Sequence, residues 1–174
     1  KDGNIFASFP HKLYSFNPLT GELLWESKKF AILGAVDDKH VYGKYNGGSV
    51  FCFDQANGTL VWERKVSPGA IDGQLILGEG NELIVHSNDF KVYMLDKKSG
   101  APIWKASVSD SNPNRIKVGT PAVTEDGQIY VINADNELVS ELRIHAKNIQ
   151  KQFILKKFSD TNNQERFEKT LTLT

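Results

Sequence analysis

The stretch Leu13-Tyr-Ser-Phe-Asn-Pro-Leu-Thr-Gly21-Glu-Leu-Leu-Trp25 decides the fold, because the chain repeats its pattern twice more. The second copy is Val50-Phe-Cys-Phe-Asp-Gln-Ala-Asn-Gly58-Thr-Leu-Val-Trp62, and the third is Val92-Tyr-Met-Leu-Asp-Lys-Lys-Ser-Gly100-Ala-Pro-Ile-Trp104. Each copy has a mostly apolar run, an Asn or Asp, a turn that ends in Gly, and a second run that ends in Trp. Self-similarity at a spacing of about forty residues is typical of propellers and solenoids.

Each copy predicts a β-hairpin. The apolar run is too short for a helix and is rich in aromatic and β-branched residues, which favours a strand. Its continuous apolarity predicts burial on both faces of the sheet. The Asn or Asp side chain can accept hydrogen bonds from turn amides, and the glycine supplies a positive φ. The residues in these structural positions are Asn17, Gly21 and Trp25, then Asp54, Gly58 and Trp62, then Asp96, Gly100 and Trp104.

Two further strands precede the second and third hairpins, and one precedes the first. The nearer strands are 4–9, 39–45 and 82–86, and the inner strands 31–36 and 73–78 are rich in small residues. Four strands in each unit predict the blade of a β-propeller, in an all-β chain of antiparallel sheets. The predicted blades are about 1–28, 30–67, 70–108 and 117–142.

The repeat fails after residue 142, where neither the Asx-to-Gly turn nor the Trp recurs. Residues 143–174 therefore predict a divergent β segment, which is a closing strand, a partial blade or the start of another fold. The first blade lacks its inner strand, so either an upstream blade or a C-terminal strand completes it. Because an unpaired blade exposes an apolar face and sheet edges, we expect a partial or half ring that other residues or another chain complete. Because the chain begins at Lys1 without a signal peptide, we also expect a processed or trimmed piece.

The order of strand, Asx, turn, Gly, strand and Trp resembles the PQQ-like (quinoprotein-type) β-propeller repeat over about residues 3–142. The resemblance implies a propeller of about seven or eight blades, with each repeated Trp docked against the neighbouring blade. It also implies a periplasmic, cell-surface or secretory-lumen location, with bacterial outer-membrane assembly lipoproteins and sensor domains as precedents. For quinone dehydrogenases of this type it implies calcium, a catalytic carboxylate and an adjacent-cysteine disulfide.

The composition and the sequence motifs give no indication of a catalytic, metal-binding or cofactor-binding site. The net charge is zero, which gives no indication of a nucleic acid or membrane-surface partner, and no apolar run is long enough to span a bilayer. The single cysteine, Cys52, predicts a small apolar core residue. The four histidines are far apart, and we find no phosphate loop and no nucleophile elbow. We therefore expect no catalytic residue, no metal site and no cofactor.

The candidate binding residues lie in loops. In a propeller, the connections between blades and those between second and third strands share one face. By this strand assignment the face carries His11, Tyr45, Asn46, His86, Asn88, Asp89, Asn112 and Arg115. Tyr and Arg are favoured interface anchors, and the residues selected for binding are Tyr45, Asn46, His86, Asp89, Asn112 and Arg115.

The predicted function is a non-catalytic scaffold that binds a protein or peptide, or another chain that completes the propeller. Two alternatives remain open. One is part of a PQQ- and calcium-dependent quinoprotein dehydrogenase, and the other is a surface protein that binds a carbohydrate or small ligand.

Overall fold

The computed structural model describes residues 3–71, 73–78, 80–89 and 91–107, together with five strands between residues 122 and 172. All regular elements in these residues are β-strands, and every pairing is antiparallel. Blade 1 contains β1 (Ile5–Ser8), β2 (Leu13–Phe16) and β3 (Leu23–Glu26), in that spatial order. No described strand pairs with the other side of β1, so three strands of blade 1 are described, against four in blades 2 and 3.

Blades 2 and 3 are four-stranded. Blade 2 contains β4 (Ile32–Val36), β5 (His40–Tyr45), β6 (Ser49–Asp54) and β7 (Leu60–Lys65). Blade 3 contains β8 (Ile76–Leu77), β9 (Glu82–Ser87), β10 (Lys91–Asp96) and β11 (Pro102–Ser107). In both blades the strands lie in chain order, so each strand pairs with the next.

A fourth sheet of five strands follows blade 3. Its strands are β12 (Ala122–Val123), β13 (Gln128–Ile132), β14 (Leu138–Arg143), β15 (Gln152–Phe158) and β16 (Glu168–Thr172). This sheet does not carry the repeated hairpin, and β15 and β16 extend it beyond β14. The predicted all-β architecture of four-stranded antiparallel blades is confirmed, in an open row rather than a closed ring and with about three blades that carry the repeat.

The apolar runs form the cores between blades. Successive side chains of a strand point to opposite faces, so Val50 and Cys52 pack toward blade 3 whereas Phe51 and Phe53 pack toward blade 1. Cys52 is fully buried in this core, and burial raises the pKa of its thiol to about 12. The cysteine is therefore a small core residue, as its position in the apolar run predicts.

The repeated tryptophans join each blade to the next. The indole Nε1 of Trp25 donates to the carbonyl oxygen of Gln55 at 3.0 Å, and that of Trp62 donates to Lys97 at 3.0 Å. Each acceptor directly follows the Asp of the next blade's turn. The indole of Trp25 also lies against Gly58, where an added Cβ would approach a ring carbon at 2.6 Å. We call such a turn, from the Asx to the glycine, an indole socket.

The sockets have one geometry in all three blades. Asp54 Oδ1 accepts hydrogen bonds from the amides of Ala56 and Asn57 at 2.9 and 3.2 Å. The turn closes with a hydrogen bond from the Gly58 amide to the Asp54 carbonyl at 2.9 Å. The corresponding glycines have φ values of 72° at Gly21, 72° at Gly58 and 68° at Gly100. These left-handed values explain why glycine occupies this position in each copy.

Candidate binding face

The connections at the end opposite the indole sockets form one continuous surface, which we call the loop face. It comprises residues 9–12, 27–31, 45–48, 66–71 and 88–89. The amide of Ala31 donates to the carbonyl of His11 at 2.6 Å, and that of Val66 donates to Gly48 at 2.9 Å. The amide of Asn88 donates to Ala70 at 2.9 Å. Each inter-blade connection is thus tied by backbone hydrogen bonds to a hairpin loop, and the face is built on a fixed frame.

Exposed aromatic rings mark the part of the loop face that belongs to blades 1 and 2. The rings of Phe30 and Tyr45 stack with centroids 6.3 Å apart and an interplanar angle of 27°. The exposed fractions are 76% for Phe9, 62% for Phe30 and 38% for Tyr45. Large aromatic side chains that stay exposed on ordered backbone form the kind of surface that binding partners cover.

Polar side chains mark the junction of blades 2 and 3. The hydroxyl oxygens of Ser67 and Ser87 are 2.5 Å apart, and Ser87 Oγ donates to the carbonyl of Ala70 at 2.9 Å. Beside them, the Tyr93 hydroxyl donates to Asp89 Oδ2 at 2.5 Å, and Lys91 Nζ lies 3.3 Å from the same oxygen. This network is largely buried and holds the β9–β10 loop against the connection from blade 2.

The charge state of Asp89 follows from its partners. Burial opposes ionisation of Asp89, but the Tyr93 hydrogen bond and the nearby Lys91 outweigh it, so the pKa of the carboxyl lies below its usual value. Burial, and then the hydrogen bond to Asp89, raise the pKa of Tyr93 to about 12. At neutral pH Asp89 is therefore an ionised carboxylate that accepts a hydrogen bond from the neutral hydroxyl of Tyr93.

A buried lysine lies under the same region. Lys44 on β5 is almost fully buried, and its Nζ donates to the carbonyl of Gly73 at the start of blade 3. Lysine is rarely buried unless its ammonium group has partners. Lys44 therefore helps to tie the second strand of blade 2 to the segment that leads into β8.

The structure places the predicted binding residues in different environments. Tyr45 and Asn46 are exposed on the loop face, and Asp89 lies in the polar network. His86 lies within β9, and its residue surface is 2% exposed. Asn112 and Arg115 lie outside the described residues. The structure therefore brings Tyr45 and Asn46 together, whereas Asp89 and His86 belong to blade 3.

Sequence reasoning missed Phe9, Phe30, Ser67 and Lys44. A signal for Phe30 was available, because it directly precedes the inner strand predicted from Ala31 and so lies in an inter-blade connection. The Ser67 and Lys44 contacts join residues 20 and 29 positions apart in sequence, and no local pattern indicates them.

The described residues form neither of two other kinds of site, a metal centre and a membrane-spanning helix. No group of three or more His, Cys, Asp or Glu side chains in this part of the chain could hold a metal ion. Over the same residues, no helix is long and apolar enough to cross a membrane.

Repeated antiparallel sheets, with Trp25 of blade 1 and Trp62 of blade 2 each lying in the indole socket of the next blade, define a β-propeller repeat protein of the PQQ type. A family model described as outer membrane protein assembly factor BamB matches residues 1–163. The chain belongs to this family. No curated protein sequence matches it.

Solved structures share the fold at low sequence identity. BamB from Moraxella catarrhalis is 14% identical with a TM-score of 0.61, and the match covers 99% of this chain and 75% of that chain. The WD40 β-propeller domain of Doa1 is 16% identical with a TM-score of 0.63, over 78% of this chain and 45% of that chain. A europium-containing methanol dehydrogenase is 13% identical with a TM-score of 0.51, over 63% of this chain and 23% of that chain.

Proposed function

We propose that this protein is a non-catalytic scaffold that binds a protein or peptide partner on its loop face. The stacked and exposed pair of Phe30 and Tyr45 is the observation that supports the proposal. Phe30 lies in the connection from blade 1 and Tyr45 in the β5–β6 hairpin of blade 2, so a partner that covers the pair contacts the boundary between the two blades. Phe9, on the β1–β2 loop, adds a third exposed ring to the face.

Preorganisation of the loop face favours binding. Binding is weakened by the entropy lost when loops and side chains become ordered. The backbone hydrogen bonds from Ala31 to His11 and from Val66 to Gly48 fix this part of the face before a partner arrives. Aromatic anchors on such a frame contribute much of the affinity of protein interfaces. A protein segment with apolar side chains and polar backbone fits the aromatic rings and the exposed Asn46 beside them.

The proposed process and compartment are taken from the description of the matched family. The matched family is described as an outer membrane protein assembly factor, so the proposed partners are proteins on their way to that membrane. The proposed location is accordingly the periplasm. A zero net charge is compatible with partners recognised by shape and apolar contact rather than by electrostatic steering.

Calorimetric titration of the full chain with an unfolded outer-membrane β-barrel polypeptide, diluted from urea, tests the proposal. The double variant Phe30→Ala/Tyr45→Ala is expected to bind at least about tenfold more weakly, because hot-spot aromatics each contribute roughly 1–2 kcal/mol or more. Leu19→Ala is the matched control, since Leu19 is exposed in the indole socket of blade 1 at the opposite end.

Failure of the wild-type chain to bind this polypeptide contradicts the proposal, and so does an equal loss in Leu19→Ala. The dehydrogenase alternative has its own test. Dye reduction that depends on both added PQQ and added calcium would replace the scaffold proposal with an enzymatic one.

A further inference from the structure

The sequence contains two Asn-Gly dipeptides, Asn46-Gly47 before β6 and Asn57-Gly58 after it. Asn-Gly is favoured in hairpin turns, so turn formation alone can explain either pair. The same dipeptide also lets the backbone nitrogen of the glycine reach the asparagine carboxamide, because glycine has no side chain to hinder the approach. The structure gives the two pairs very different surroundings.

The Asn57-Gly58 pair is held in the indole socket of blade 2. The Gly58 amide donates to the carbonyl of Asp54 at 2.9 Å, and the ring of Trp25 lies against Gly58. Asn57 Oδ1 accepts hydrogen bonds from the amide and the hydroxyl of Thr59 at 2.9 and 2.6 Å. Both groups that would have to react, the glycine nitrogen and the carboxamide, are therefore already engaged.

The Asn46-Gly47 pair is open by comparison. Both residues are exposed on the loop face. Within the described part of the chain, neither the Asn46 side chain nor the Gly47 amide makes a hydrogen bond. Lys65 Nζ donates to the carbonyl of Gly47, and a positive charge beside this peptide favours loss of its amide proton.

The conformation of the loop does not require glycine at position 47. Tyr45 pairs with Ser49, which leaves a three-residue loop, and the left-handed φ of 79° falls on Gly48. An added Cβ at Gly47 would have a ring carbon of Tyr45 as its nearest neighbour, at 4.0 Å. A larger residue would therefore fit here, in contrast to Gly58, whose φ is 72°.

We propose that Asn46 is a site of spontaneous deamidation on the loop face. The Gly47 backbone nitrogen attacks Cγ of Asn46. A bond from this nitrogen to Cγ forms, the bond from Cγ to Nδ2 breaks, and Nδ2 leaves as ammonia with the proton that the amide has lost. Water then opens the resulting succinimide at either carbonyl, which gives aspartate or an isoaspartyl linkage at this position. The reaction is not a redox step, and it does not depend on the proposed function.

The product changes the loop face in two ways. It adds a negative charge, and the isoaspartyl form also adds one carbon to the main chain just before Gly48. The carbonyl of Gly48 accepts hydrogen bonds from the amides of Val66 and Ser67 at 2.9 and 3.2 Å. Gly48 is packed so closely that an added Cβ would clash with the carbonyl oxygen of Ser67. The isoaspartyl form is therefore expected to loosen the tie between this hairpin loop and the connection to blade 3.

Timed incubation of the full chain at neutral pH, followed by tryptic digestion and mass spectrometry, tests the proposal. Both asparagines lie in one tryptic peptide, residues 45–64, so fragment ions compare them in the same molecule. Asn46 is expected to deamidate at least about tenfold faster than Asn57, which corresponds to a barrier lower by about 1.4 kcal/mol. Labelling by an isoaspartate methyltransferase identifies the isoaspartyl form.

Two controls separate the effect of the fold from that of the dipeptide. Gly47→Ala is expected to slow deamidation of Asn46 at least about tenfold, because the methyl group hinders the nitrogen, while the thermal melt stays unchanged since the methyl group has room. In urea the rates of Asn46 and Asn57 should converge, because the socket no longer holds Asn57. In the isoaspartyl fraction, hydrogen exchange at the amides of Val66 and Ser67 should be at least about tenfold faster than in the unmodified chain.

Three outcomes overturn the proposal. They are equal deamidation of Asn46 and Asn57 in the native chain, a difference that persists in urea, and undiminished deamidation of Asn46 in Gly47→Ala. Unchanged exchange at Val66 and Ser67 would overturn the loosening of the loop face. These readouts are covalent and structural, so a failure of the loop face to bind a partner would leave them unaffected.

Discussion

The indole sockets of blades 1 and 2 differ in what lies against them, since Trp25 covers the turn at Gly58 whereas no described atom lies within 4 Å of a Cβ placed at Gly21. Both glycines have a φ of 72°, and both turns are closed by the same hydrogen bonds. The local sequence is therefore sufficient to form the turn, and the tryptophan is not needed to hold it. What the indole adds is the attachment of one blade to the next.

Among the substitutions that test this comparison, removal of an indole should lower the free energy of unfolding the most. Trp25→Ala is expected to lower the free energy of unfolding by about 3–5 kcal/mol, because it empties a buried aromatic site and leaves the Gln55 carbonyl without its donor. Urea unfolding followed by circular dichroism measures the change. Leu24→Ala, at the exposed neighbouring position, should change stability by only about 0.5 kcal/mol. Similar losses in both variants would show that the indole is not what joins blades 1 and 2.

A methyl group at the glycine separates backbone strain from the contact with the indole. Gly21→Ala should cost about 1–2 kcal/mol, since only the left-handed backbone opposes it. Gly58→Ala should cost about 1–3 kcal/mol more, because the new methyl group must displace the ring of Trp25. Thermal melting of the two variants measures the difference. Equal costs would mean that the ring of Trp25 moves aside freely.

A fall in pH should change stability less than these substitutions do. It should still affect the turns differently, because the side chain of Asn17 does not titrate whereas that of Asp96 does. Hydrogen bonds from the Ser99 side chain and amide hold the pKa of Asp96 below its usual value. A depressed carboxyl pKa contributes stability that is present above the unfolded pKa, about 4, and is lost as the pH falls through the folded value. We expect the wild-type chain to lose more stability than Asp96→Asn between pH 7 and pH 3. Urea unfolding at both pH values tests this, and equal losses would contradict it.

Most of the fold could be predicted from the sequence, because the residues that specify each hairpin lie close together in the chain. The Asx, the glycine and the apolar run of each hairpin lie within thirteen residues, and turn chemistry and strand pattern act over that distance. The sequence predicts a blade over 117–142 and a divergent β segment over 143–174, but it could not predict how that segment joins the sheet, since residues beyond 142 repeat no pattern whose register could be followed.

The candidate site could be predicted only in part. Tyr45 and Asn46 follow directly from the hairpin of blade 2, and the structure has them exposed at the end of β5 and the start of the loop. The stacking of Phe30 on Tyr45 depends on how the connection from blade 1 lies against blade 2, which no sequence pattern specifies. The exact end of a strand is hard to predict from sequence, as His86 shows. The sequence predicts a strand that ends at this residue, but β9 continues to Ser87 and keeps His86 inside the sheet.

The hydrogen bonds of the indoles to the next blade also make the chain its own optical reporter. The whole sequence has three tryptophans; Trp25 senses the boundary of blades 1 and 2, and Trp62 that of blades 2 and 3. An indole that leaves its carbonyl acceptor for water shifts its emission to longer wavelength. Chains that retain one tryptophan, with phenylalanine at the other two positions, would therefore reveal in which order the blades separate, without any attached dye.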